Sequence, residues 1–167
     1  MKDVVALGEA LIDFACRSTD ELGYPVLAAQ PGGAPVNFLA ALQRYGCSTA
    51  FIGKVGDDAF GRLLQSTLCA QGIDTQGLVA DMGIFTTLAF VTLDADGNRA
   101  FSFARKPGAD TALHPSEVKL SLLKGARVFH FGSLSLTDEP VRRRCRSAGE
   151  PLHDQLRSEF PPFPLGE

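Results

Sequence analysis

Residues 31–61 read PGGAPVNFLAALQRYGCSTAFIGKVGDDAFG, and the order of patterns in this stretch decides the fold class. From Pro35 to Tyr45 the chain is apolar nearly all round. Pro35 stands where a first helical turn accepts proline, and Gly46 stops the pattern. Ala50-Phe51-Ile52 then makes a short continuous apolar run ending at Gly53. A continuous run, unlike an alternating one, is what a strand buried on both faces of a parallel sheet shows. A second helical pattern spans Asp57 to Gln71, with Phe60, Leu63, Leu64 and Leu68 at helical spacing before Gly72.

Working outward, Val4-Val5-Ala6-Leu7 before Gly8 and Val128-Phe129-His130-Phe131 before Gly132 repeat the strand pattern. Strands alternating with helices define an α/β fold. The segment from Thr86 to Arg105 differs: Leu88 to Leu93, the turn Asp94-Ala95-Asp96-Gly97-Asn98, and a return from Arg99 read as a hairpin. Alternation along the return places Phe101, Phe103 and Arg105 on one face. Arg105 is then either a polar contact in a pocket or a solvated strand end. After Pro140 come Arg142, Arg143, Arg144 and Arg146, a solvated charge cluster rather than a nucleic-acid site. Pro151, Pro161, Pro162 and Pro164 follow without apolar periodicity, so 141–167 reads as a tail without stable structure.

Composition bounds the function. The 167 residues carry 16 Lys+Arg against 19 Asp+Glu, a net charge of −3, which argues against an electrostatic nucleic-acid surface. No apolar run approaches a membrane span, and the first residues do not read as a secretory signal. Cys16, Cys47, Cys69 and Cys145 are scattered without a CxxC pair, the usage of reduced cytosolic thiols. A cytoplasmic protein is expected.

Few residues offer chemistry by themselves. Gly53-Lys54 is not a phosphate loop, because Val55 follows and Ser48 stands where the first motif glycine belongs. His114, His130 and His153 lie too far apart to suggest a metal cluster, and His130 reads as a core histidine. Asp13 follows the first strand among apolar neighbours, where a carboxylate needs a partner. Ligand hydroxyls are one partner and a backbone N–H turn the other. Gly32-Gly33 lets the backbone approach a ligand or hinge, and Asn37 in the first helical turn both donates and accepts. The same stretch also reads as an ordinary capped helix.

Taken together, these blocks resemble a known family. Gly8-Glu9-Ala10-Leu11-Ile12-Asp13-Phe14 is similar to the opening motif of the ribokinase-like (PfkB) carbohydrate kinases, fructokinases in particular. Pro31 to Asn37 with Tyr45-Gly46, and then Phe51 to Gly61, resemble the family's N-terminal signature. Thr86 to Leu93, Phe101 to Arg105 with Pro107 to Asp110, and Phe129 to Leu136 continue the likeness in family order over residues 3 to about 140. The resemblance implies a ribokinase-like three-layer α/β/α sandwich with a small β lid, truncated here. The lid strands would lie at approximately 10–31 and 86–106. It implies transfer of the ATP γ-phosphoryl group to a sugar hydroxyl, with ATP and Mg²⁺ as cofactors and fructose favoured. Asp13 and Asn37 would hold sugar hydroxyls, Gly32 and Gly33 would approach the sugar and hinge, and Arg105 would reach the same pocket. The lid would close over the sugar and could mediate a homodimer.

Departures from the family pattern set the second expectation. Neither the Gly-Ala-Gly-Asp motif, whose Asp is the family's general base, nor the Asn-x-x-Glu motif tied to Mg²⁺ occurs in the sequence. Gly108-Ala109-Asp110 resembles the former only superficially, on the lid side. Phosphoryl transfer depends on positioned charge and donors, so this chain alone is expected to be inactive. The alternatives are a non-catalytic sugar-binding or dimerising module, or a non-functional truncated product with Val4–Leu7 and Val128–Phe131 incompletely covered. Residues 1–140 therefore read as the N-terminal part of a PfkB domain and 141–167 as an aberrant tail. One codon choice for Ser158 to Glu167, read one nucleotide on, spells Val-Asn-Phe-Arg-Pro-Ser-Leu-Trp-Glu, close to a segment that the family carries. A frame change near Val141 to Arg146 accounts for that, and a divergent or spliced C-terminus is the alternative.

Overall fold

The computed structural model describes residues 1–93, 99–137 and 139; the turn expected at 94–98 and the tail 141–167 lie outside them. Two four-stranded sheets organise the chain. The first contains β1 (Val4–Leu7), β4 (Thr49–Gly56), β5 (Asp74–Asp81) and β8 (Val128–Phe131) in the order β5-β4-β1-β8, every pair parallel. The second contains β2 (Leu11–Thr19), β3 (Pro25–Gly32), β6 (Leu88–Leu93) and β7 (Arg99–Ala104) in the order β3-β2-β6-β7. There β2 runs parallel to β6, while β2–β3 and β6–β7 are antiparallel. This is the α/β class that the sequence patterns predict, with the small β lid that the family resemblance implies.

Helices α1 (Ala34–Arg44) and α2 (Ala59–Ala70) match the two helical patterns to within two residues. They cover one face of the parallel sheet, where Ala6, Phe51 and Val55 meet Val36, Leu39, Leu64 and Leu68. The opposite face, with Val5, Leu7, Ala50 and Ile52, is closed by Leu113, Val118 and Leu123. Those residues come from three short 3-10 turns and their connections: Ala109–Ala112, Pro115–Glu117 and Leu120–Leu122. Asp58 caps α2 by accepting from Phe60 N and Gly61 N at 2.9 and 2.8 Å, and it also accepts from Thr86 N at 2.8 Å. One carboxylate thereby ties the helix start to the chain entering β6.

Burial separates the two strands expected to be incompletely covered. Val4–Leu7 is not left uncovered: β1 lies between β4 and β8 and all four of its residues are buried. Val128–Phe131 has the same continuous apolar pattern but is not buried on both faces. Val128 and Phe131 are 49% and 42% exposed. Among the described strands β8 lies at the edge of its sheet, with β1 as its neighbour on one side. His130 on that strand packs its ring against Phe38 of α1, centroids 4.6 Å apart.

Candidate functional site

In an open parallel sheet the ligand crevice lies beyond the carboxyl ends of the strands, where the strand order reverses. Here the chain runs from β1 to β4 and β5 on one side and returns to β8 on the other, so the crevice lies between β1 and β8. The segment leaving β1 there is Gly8-Glu9-Ala10, which leads directly into β2 of the lid. The chain comes back from the lid through Gly32 and Gly33 into α1. Asp13, Gly32, Gly33 and Asn37 therefore belong to one out-and-back excursion from the parallel sheet.

Asp13 lies on β2 opposite Gln30 of β3. It is half-buried, and among the described residues no donor reaches its carboxylate. Burial without compensation pushes its carboxyl above the usual range. The backbone N–H turn considered from the sequence is thus not what holds it. Gly32 is buried beside it, and a Cβ at that position would fall 2.1 Å from Asp13 Oδ2. Any side chain at 32 would displace the carboxylate. Gly33 has φ 114°, a conformation that glycine accepts readily, and it passes directly over the Glu9 carbonyl. Asn37 is exposed in the first turn of α1; its backbone N–H donates to Gly33 O at 3.0 Å, and no described group bonds its side-chain amide.

Arg105 is not a solvated strand end. It sits one residue past β7, and its side chain is 10% exposed. Its Nε and Nη2 donate to Asp110 Oδ2 at 2.9 and 2.6 Å, Nη2 donates to Leu134 O at 3.1 Å, and Nη1 donates to Thr137 Oγ1 at 3.3 Å. Asp110 is 2% exposed, and its other oxygen accepts from Thr87 Oγ1. The guanidinium therefore joins the end of the lid hairpin to the segment after β8. Asp110 went unassigned from the sequence because its partners are Thr87, 23 residues before it, and Arg105.

Lys54 is also an internal partner. It is 4% exposed and pairs with Asp81 at 3.0 Å and Glu117 at 2.7 Å. Burial pulls its ammonium down, but the two carboxylates outweigh that and hold it above its usual range. Glu9, quoted in the sequence only as part of a motif, is 2% exposed and accepts from Ala34 N at 3.1 Å.

The described residues do not fit a nucleotide phosphate or its metal ion. Phosphates take free N–H groups at a helix start. The α1 start already carries the Glu9 carboxyl, and the α2 start carries Asp58. No grouping of three His, Cys, Asp or Glu among the described residues could hold a metal, and Lys54 is committed to its carboxylates. No helix among them is long and apolar enough to cross a membrane.

A parallel α/β body, an out-and-back excursion into a β lid and a half-buried carboxylate at their junction fit a sugar-kinase type of architecture. The chain belongs to the pfkB family carbohydrate kinases, whose pattern matches residues 1–148. It is 48% identical to Fructokinase-1 of Oryza sativa subsp. japonica over 147 residues, which is 87% of this chain and 44% of the relative. It is 47% identical to Probable fructokinase-3 of Arabidopsis thaliana, covering 41% of that protein. Among solved structures, the fructokinase from Xylella fastidiosa superposes with TM-score 0.80 at 34% identity, over 89% of this chain and 48% of that one. A putative ribokinase II from E. coli, in complex with ATP and Mg²⁺, superposes with TM-score 0.83 at 27% identity, over 93% and 50%. The chain thus spans less than half the length of the curated relatives it matches, and the fold is ribokinase-like.

Proposed function

We propose that this chain carries the sugar-binding part of a fructokinase-like kinase, one that passes the ATP γ-phosphoryl group to a sugar hydroxyl, with fructose as acceptor. One observation carries this reading: Asp13 is a half-buried carboxylate with no donor among the described residues, set against a glycine that leaves its oxygens open. Sugar hydroxyls are donors that match two such oxygens, and burial strengthens each bond they make. Asn37 supplies a second bidentate group from α1, while Gly32 and Gly33 form the close approach and hinge. Arg105 acts from behind, holding the lid's return strand through Asp110. The lid excludes water from the sugar when closed. ATP and Mg²⁺ are the cofactors of the intact family reaction. The donor sets among the described residues offer no place for them, and on that ground we propose that the chain binds sugar and does not turn over alone.

Calorimetric titration of the 167-residue chain with fructose, ribose and 2-keto-3-deoxygluconate tests the reading. Fructose is expected to bind best. Absence of any sugar binding overturns the reading, and ATP-dependent fructose phosphorylation by the purified chain overturns its inactivity. A second role, dimerisation through the lid, is favoured by Phe101 and Phe103, which stack 6.2 Å apart while 53% and 47% exposed. A cytoplasmic location is proposed on cysteine usage, and Cys16, Cys47 and Cys69 are free thiols. Sequencing the coding DNA tests the frame change proposed for the tail.

A further inference from the structure

Three chain segments converge on one carboxyl group in the crevice between β1 and β8. Glu9 leaves β1 and is 2% exposed. Its Oε1 accepts from the N–H of Ala34, the first residue of α1, at 3.1 Å. Its Oε2 is fully enclosed and has no hydrogen-bond partner among the described residues. That oxygen lies against Gly132 at the end of β8, where a Cβ would stand 2.6 Å from it. Overhead, a Cβ on Gly33 would fall 2.4 Å from the Glu9 carbonyl oxygen. Asp110 and Arg105 are the charged groups that act on Glu9 through space.

A helix start needs acceptors for its free N–H groups, and the residue just before the helix ordinarily supplies one from its own side chain. Gly33 holds that position, and its φ of 114° and its contact with Glu9 exclude a serine or aspartate there. The acceptor therefore has to come from elsewhere, and it comes from 25 residues upstream. A buried carboxyl with one unmatched oxygen is a poor choice for stability alone. Burial pushes its proton affinity up and the Asp110 charge adds to that, against the pull of Ala34 N–H and its own backbone N–H.

We infer that Glu9 is a positioning residue: by capping α1 from the end of β1, it sets where the hinge Gly32-Gly33 and Asn37 stand relative to Asp13. The inference rests on the proposed sugar site for its functional consequence but not for its geometry. Sequence spacing conceals it, because the cap and the helix are separated by the first two lid strands.

The experiment uses the full 167-residue chain as wild type, Glu9→Ala and Glu9→Gln. Amide hydrogen exchange is read at Ala34, with Phe51 and Leu64 as core references, and fructose affinity is read by calorimetry. Glu9→Ala is expected to speed Ala34 exchange at least tenfold and weaken fructose at least tenfold, with Phe51 and Leu64 unchanged. Glu9→Gln keeps an acceptor for Ala34 and is expected within about threefold of wild type in both readouts. Continued protection of Ala34 in Glu9→Ala overturns the inference, as does an equal loss at Phe51 and Leu64, which marks a merely structural role. If Glu9→Ala does not fold, Glu9→Gln decides: retained protection and affinity support the inference, and loss of either overturns it. A wild-type chain that binds no fructose while Glu9→Ala still frees Ala34 overturns the sugar-site reading and supports the positioning of α1.

Discussion

The two sheets have the same number of strands and opposite relations to water. In the parallel sheet β4 is buried at all eight positions, because helices cover one face and the 3-10 turns the other. In the lid, burial fades along single strands. Leu11 and Ile12 are buried, Asp13 to Ala15 are intermediate, and Cys16 to Thr19 are exposed. Thus β2 starts inside the body and ends in solvent. A purely parallel sheet needs both faces covered, whereas a sheet with antiparallel hairpins tolerates a wet face. The difference teaches where a ligand can sit. The site candidates gather where β2 and β3 pass from dry to wet, and there a carboxylate feels low dielectric yet remains reachable.

Mutations that break this comparison should differ most between the sheets. Phe51→Ala, in the parallel body with 0% exposure, is expected to cost about 3–5 kcal/mol in denaturant unfolding. Asp110→Ala, at the junction, removes the carboxylate that accepts from Arg105 Nε and Nη2, with an expected loss of about 3 kcal/mol in the same measurement. A loss below about 1 kcal/mol would show that this junction is not a fixed clamp.

Asp58→Ala tests the tie between body and lid and is expected to cost about 1–2 kcal/mol. Burial alone would raise the Asp58 carboxyl, but hydrogen bonds from Thr86, Gly61 and Phe60 outweigh it and hold the group below its usual value. Its stabilisation is therefore present above the ordinary carboxylate value and lost as pH falls through the lowered folded one. The variant should flatten the acid limb of the stability profile. Asp3 contributes to the same limb, since its bonds with Ser48 and Arg127 lower it to about 2.

Asp13→Asn separates binding from folding. The Asp13 carboxyl is raised, so its charge costs stability increasingly as pH climbs through the folded value. The variant should be at least as stable as wild type at neutral pH while losing fructose affinity tenfold or more. The smallest effect on stability belongs to the wet face of the lid. Phe101→Ser with Phe103→Ser should change it by no more than about 0.5 kcal/mol, while any dimer formed through that face dissociates in sedimentation.

Much of the body was legible because its signals are local. Continuous apolar runs marked β1 and the core of β4, and helical spacing before Gly46 and Gly72 marked α1 and α2. The site was legible in part. Asp13, Gly32, Gly33 and Asn37 stood out as residue types in unusual company. Glu9, Asp110 and Lys54 did not, since a buried charge is recognised only by its partner, and their partners lie far off in sequence or around a turn. Arg105 was visible as a candidate, but its direction was not, because one residue beyond a strand end the alternation rule no longer applies.

The sequence by itself determined the α/β class, the two helices, the hairpin and the family likeness, because each depends on periodicity or on ordered blocks along the chain. Only the tertiary structure decided that β1 is central and that β8 lies at the edge of the described strands, although both read as equally apolar. Only it showed that Arg105 turns inward to Asp110, that Lys54 is neutralised by Asp81 and Glu117, and that Glu9 caps a helix 25 residues away. Periodicity states which residues leave water. Which charges meet inside depends on how the chain crosses itself, and that is fixed when the lid excursion returns to the sheet.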